Sequence, residues 1–170
     1  MKNHTKIIYL TQSGAIAAIY VVLSLFAQGF NLASGAIQCR FSEVLTILPF
    51  FTPAAVPGLI IGCFLSNIFL GSPLLDIIFG TLATAIGAFG THFLKNHMLL
   101  CTFPPVISNA LIIPLVLRYG YGISQFYPYL VLTVGIGQII MCVLAGGVIL
   151  RGLYPVRYHI FNDTHHASKI

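Results

Sequence analysis

Apolar residues run along this chain in long blocks, separated by short polar or Gly/Pro breaks. The first block covers about Leu10 to Gly29, and a polar break from Asn31 to Arg40 follows. A short block from Phe41 to Phe51 ends at Thr52-Pro53, and a third runs from Ala54 to Leu70 with Pro57 in its first turn. Gly71-Ser72-Pro73 reads as a turn, since Ser72 can cap a helix and Pro73 suits a first helical position. The fourth block runs from Leu74 to Leu94 and stops at Lys95-Asn96-His97. The fifth starts at Pro104-Pro105 and ends near Arg118, with Pro114 predicting a kink or a local rearrangement. After a Gly/Tyr loop, the sixth runs from Tyr129 to Leu150 and leaves a polar tail over 151–170.

A helix rises about 1.5 Å per residue, so roughly 20 residues cross a hydrocarbon layer about 30 Å thick. The pattern therefore predicts an all-α membrane protein: one integral membrane domain over 1–170, built as a bundle of six transmembrane helices. The expected spans are about 10–29, 41–51, 54–70, 74–94, 104–118 and 129–150. No internal repeat is visible, which argues against an inverted-repeat transporter.

Composition strengthens this picture. Of the 170 residues, 58% are hydrophobic and 6% charged, against about 25% charged in soluble domains. So few charges cannot cover a soluble fold, whereas lipid accepts a surface of Leu, Ile, Val and Phe. The formal net charge of +5 reflects basic residues flanking the blocks, and no nucleic-acid partner is expected. With an inside N-terminus, Lys2, Lys6, Lys95, Arg151, Arg157 and Lys169 fall inside, and Arg40 and Arg118 outside. That split predicts a cell-membrane protein with both termini cytoplasmic. Cys39, Cys63, Cys101 and Cys142 are scattered singly and read as inert core residues. No P-loop, zinc spacing, nucleophile triad or paired-carboxylate arrangement is present, so neither a cofactor nor a metal is expected, and the chain reads as a binder rather than an enzyme.

The acids are Glu43, Asp76 and Asp163, the last in the tail. An ionisable group within an apolar span is costly and usually faces a bundle interior or a wet cavity. Glu43 opens the second span and Asp76 the fourth, both on the outer side. Gln38, Arg40 and Asn67 fall at the same face, so these five residues outline an outward-facing pocket for a small, hydrogen-bonding solute. Four of them also have a plainer role open to them. Arg40 and Glu43 could pair at i,i+3 spacing. Asp76 could complement a helix dipole. Asn67 could bond a neighbouring helix. Asn109 and Gln138 lie deeper in the fifth and sixth spans, as interhelical partners or ligand contacts. On the first helix, Gly14 and Ala18 form a small-x-x-x-small step, suited to internal packing or to docking another membrane subunit.

Five stretches resemble the QueT family. They are Ile37-Gln38-Cys39-Arg40-Phe41-Ser42-Glu43 through Pro49, Thr52-Pro53-Ala54-Ala55-Val56-Pro57-Gly58-Leu59 through Asn67, Leu75-Asp76 through Thr84, Pro104-Pro105-Val106 with Asn109 through Ile112, and Leu132 through Gly137. The resemblance covers about residues 10–152. It implies the substrate-binding S component of an energy-coupling factor (ECF) transporter: a six-helix subunit working with a transmembrane T subunit and two cytoplasmic ATPases. The implied substrates are queuosine precursors, which are 7-deazaguanines: the 7-aminomethyl form, the 7-cyano form or queuine. Gly14 and Ala18 then resemble the small-residue face that docks the T subunit. Gln138 departs from the Glu that often follows Gly-Ile-Gly in the family, which removes an expected ion pair with an aminomethyl cation. Other readings are an S component for a different vitamin and a stand-alone small-solute transporter.

Overall fold

A computed structural model describes residues 2–29 and 40–161. Among these residues all regular structure is helical. Helix α1 (Lys2–Gly29) is followed by a 3-10 helix (Phe41–Phe50), α2 (Ala55–Phe69) and α3 (Thr81–Phe93). Then come α4 (Phe103–Gly120), α5 (Tyr127–Gln138), α6 (Gly146–Leu153) and a short α7 (Arg157–Ile160). A π-helical turn (Asp76–Gly80) leads into α3, and another (Ile139–Ala145) joins α5 to α6.

The second apolar block is too short to span a bilayer as an α-helix, at about 15 Å for ten residues. As a 3-10 helix it rises about 2.0 Å per residue and reaches roughly 20 Å. It lies inside the bundle, with Ser42, Glu43, Thr46, Ile47 and Leu48 buried. One end is fixed to α1 by Ser24 Oγ donating to Ser42 Oγ at 2.9 Å. Beyond its other end, Thr52 Oγ1 donates to Gln12 Oε1 at 3.1 Å.

Glycines set the closest helix contacts. A Cβ on Gly58 would stand 2.8 Å from Ser13 O, and one on Gly62 would stand 2.7 Å from Tyr20 Cβ. Helices α1 and α2 therefore approach through Gly58-x-x-x-Gly62 on one side and Ser13, Ala17 and Tyr20 on the other. Likewise, a Cβ on Gly87 would meet Pro105 Cα at 2.8 Å, and one on Gly90 would meet Pro104 Cβ at 2.5 Å, which seats α3 against the start of α4.

The outside of the bundle is apolar: Val22, Phe64, Leu82, Leu111, Leu132 and Leu144 are all exposed. A solvent-facing patch of that extent would be an aggregation liability in water and is satisfied by lipid. Among the described residues, three helical stretches are long and apolar enough to cross a membrane: Thr5–Gly29, Leu100–Gly120 and Tyr127–Leu153. The remaining helices are shorter, because glycines, prolines and polar residues interrupt their apolar runs.

Helix α4 runs through Pro114, which is buried within it. One expectation is corrected: the tail does not begin at Arg151, since α6 runs to Leu153, and the chain then turns back so that Phe161 stacks on Phe51 with ring centroids 5.2 Å apart. Burial of aromatic surface holds that segment, although its sequence is more polar than the spans.

Candidate functional site

The polar residues gather at two depths. The outer group forms where α1 and α2 end and the first π turn begins. Asp76 is buried there, and its Oδ2 accepts from Arg40 Nη2 at 2.8 Å and from Tyr121 Oη at 2.7 Å. Burial pushes the Tyr121 phenol above its ordinary pKa, so it remains a donor. Asn67 Nδ2 donates to the Asp76 backbone carbonyl at 3.1 Å and so ties α2 to the π turn. Arg40 thus pairs with Asp76 across helices rather than with Glu43 along its own. A cavity of about 40 Å³ opens beside this group, lined in part by Ser24, Gln28, Arg40, Asn67, Ser72 and Tyr121.

The inner group surrounds Glu43. Its Oε1 accepts from Tyr20 Oη at 3.2 Å and its Oε2 from Asn109 Nδ2 at 3.3 Å. Tyr20 lies nine residues before the end of α1, and Asn109 eleven before the end of α4. At about 1.5 Å per residue, that is roughly 13–16 Å from the helix ends. Glu43 is therefore deeper than a position at the mouth of a span, and it meets Asn109 and Gln138, the two residues expected to lie deep. Arg40, Glu43, Asn109, Ile113, Val134 and Gln138 line a second cavity of about 10 Å³. Gln138 Oε1 accepts from Cys142 Sγ at 3.2 Å, just before the helix relaxes into the second π turn.

Among the sequence candidates, Arg40, Asn67 and Asp76 meet at the outer level, and Glu43, Asn109 and Gln138 at the inner one. Gln38 lies outside the described residues. Phe41 and Tyr127, aromatic residues able to stack on a flat ligand, line neither cavity; Phe41 lies 6.4 Å from Phe26, centroid to centroid, and Tyr127 Oη donates to the Leu111 carbonyl at 3.3 Å. Tyr20 and Tyr121 join these clusters without having been sequence candidates: Tyr121, near a helix end, reads first as an interfacial anchor, and Tyr20, in mid-helix, carries no charge to single it out. Cys63, Cys101 and Cys142 are buried and free, in line with the inert-core expectation. No group of three metal-ligating side chains occurs among the described residues.

Gly14 and Ala18 face away from the bundle. A Cβ on Gly14 would meet nothing within 4 Å, and Ala18 is exposed, while the adjacent Ser13 and Ala17 make the internal contacts.

An apolar exterior, membrane-length helices and buried polar clusters define a multi-pass helical membrane protein with polar groups gathered in its interior. The family model described as QueT transporter matches residues 10–155, and the chain belongs to that family. It is also similar to the protein named Queuosine precursor transporter QueT of Lactococcus lactis subsp. cremoris (strain MG1363), at 37% identity over 71 residues. That match covers 42% of this chain and 41% of the relative's length. No solved structure matches this chain.

Proposed function

We propose that this chain is the substrate-capture S subunit of an ECF importer, and that it binds a queuosine precursor of the 7-deazaguanine class. The observation that carries this reading is the inner chamber: a buried carboxylate held by neutral donors, flanked by two carboxamides, at mid-depth in an apolar bundle. The guanine-like edge of such a ligand presents adjacent N–H donors beside a carbonyl. Glu43 would accept the donors side by side, as carboxylates do with bidentate partners. Asn109 or Gln138 would donate to the carbonyl. Family membership and the printed name of the relative support the substrate class. Gln138 carries no charge, which favours a neutral 7-substituent such as the nitrile, or queuine bound in another pose.

In this reading the three long helices and the three shorter helical rods make six passes. The chamber opens outward, and both termini are cytoplasmic. The distribution of described basic residues supports that orientation: Arg40 and Arg118 lie toward the chamber's mouth, and Lys6, Lys95, Arg151 and Arg157 toward the opposite end. Gly14 and Ala18 would dock the T subunit, and two separate ATPase subunits would supply hydrolysis.

Calorimetry in detergent tests the role of Glu43. Removing it leaves buried ligand donors unpaired, at a cost of about 1–3 kcal/mol. Glu43→Ala is expected to weaken 7-deazaguanine binding at least tenfold, and unchanged affinity would sink the assignment. A thermal-shift screen of deazapurines against thiamin, riboflavin and biotin distinguishes this substrate class from another vitamin. Uptake by vesicles lacking partner subunits would instead indicate a stand-alone transporter.

A further inference from the structure

The outer and inner cavities are separate, and Arg40 is the one described side chain that borders both. Their volumes of about 40 and 10 Å³ suit one or two waters, and neither holds a bicyclic heterocycle. A ligand reaching Glu43 from the outer cavity must therefore displace what stands between them. The Arg40 side chain is 20% exposed while its partner Asp76 is 1% exposed, so the ion pair sits where the mouth meets the interior.

The hold on Arg40 is made at a single oxygen. Arg40 Nη2 and Tyr121 Oη both bond Asp76 Oδ2, while Asp76 Oδ1 is buried without a partner. Arginine–carboxylate pairs are frequently two-pronged, and this one is not. A one-point contact fixes the guanidinium yet releases it more readily. Tyr121 bonds the same oxygen, and so sets the rotation of the carboxylate that Arg40 meets.

We propose that Arg40 is a gate between the outer cavity and the Glu43 chamber, and that Asp76 and Tyr121 are the positioning residues that hold it across the passage. The proposal rests on the reading that the Glu43 chamber receives the ligand. Swinging Arg40 away joins the two cavities without moving a helix.

Two measurements on the full-length protein in detergent test this. In the first, Val134→Cys places a thiol in the wall of the inner chamber, and its modification by a small methanethiosulfonate reagent is timed by peptide mass spectrometry. Adding Tyr121→Phe, which keeps the ring and removes the hydroxyl, is expected to speed modification at position 134 at least threefold. Arg40→Ala is expected to speed it at least as much. Rates equal to the parent's in both backgrounds would overturn the gate. In the second, binding of 7-cyano-7-deazaguanine is followed by stopped flow. Tyr121→Phe is expected to raise the association and dissociation rate constants together, each at least threefold, with Kd changing less than twofold. A faster dissociation alone, with labelling unchanged, would make Tyr121 a ligand contact and overturn the proposal. Accelerated labelling with no deazaguanine binding by the parent would support the gate and remove the substrate reading.

Discussion

At the residue scale, the outer cluster depends on a glycine that carries no chemistry. A Cβ on Gly80 would stand 2.5 Å from Asp76 Oδ1 and 3.3 Å from Asn67 Nδ2. The Asp76 side chain folds back over its own helix, and a missing side chain four residues on makes that possible. Gly80→Ala should therefore push the carboxylate off Arg40 and Tyr121 and leave a partly buried guanidinium without its ion pair. Breaking such a contact and forcing a close approach place the expected loss at about 1–3 kcal/mol. The measurement is the melting temperature in detergent beside that of Asp76→Asn. Gly80→Ala should melt lower than the parent, and adding it to Asp76→Asn should cost less than the sum of the two, because both act on one contact. Full additivity would refute the coupling. Glu43 and Asp76 were legible in the sequence because a charge inside an apolar run has few inexpensive explanations. Gly80 was not, since its effect depends on a side chain that bends toward it.

At the scale of elements, the sequence set the order of the helices and concealed the geometry of those that carry the site. Blocks beginning near Leu74 and Pro104 become helices close to where their turn signals place them. The 3-10 helix and the two π turns were not legible, because hydrophobic periodicity over five to ten residues does not distinguish one helical pitch from another. All three adjoin site residues: Glu43 is in the 3-10 helix, Asp76 opens one π turn and Gln138 precedes the other. Such departures from α geometry re-aim a side chain by a fraction of a turn and are frequent at functional sites. The depth of Glu43 was not legible for a related reason: its place at the start of an apolar block is compatible with the mouth or the interior, and the 3-10 helix that carries it begins inside the bundle. The α1–α2 contact supports a separate prediction. Gly62→Ala should press on Tyr20 Cβ and on the Ala17 carbonyl, which stands 3.1 Å from the added carbon. Overpacking of this kind costs about 1–3 kcal/mol. Because Tyr20 Oη donates to Glu43, the variant is expected to lose both thermal stability and ligand affinity. A variant that melts and binds as the parent does would show that α2 moves aside freely.

At the scale of the whole molecule, the two small-residue steps on the first two helices separate by direction. Gly58 and Gly62 point inward, and their space is already filled by Ser13, Ile16, Ala17 and Tyr20. Gly14 and Ala18 point outward, where an added Cβ at position 14 meets nothing within 4 Å. The sequence left internal packing and docking equally open for this second pair, and the geometry argues against the first. In the proposed reading this outer strip of α1, near the end opposite the polar cavity, receives a second membrane helix, since small residues permit close approach. This yields a prediction with opposite outcomes in two assays. Gly14→Leu should leave the melting temperature and solute affinity of the isolated chain within error, since it touches no internal contact and places a leucine against lipid. The same change should abolish co-purification with an ECF T subunit and its ATPases, because a side chain in the strip holds the partner helix away. Gly58→Leu should behave in the reverse sense, failing as an isolated chain before any partner is involved. Normal assembly of Gly14→Leu would exclude this strip as the docking face, and a large loss of stability in the isolated variant would return Gly14 to the interior of the bundle.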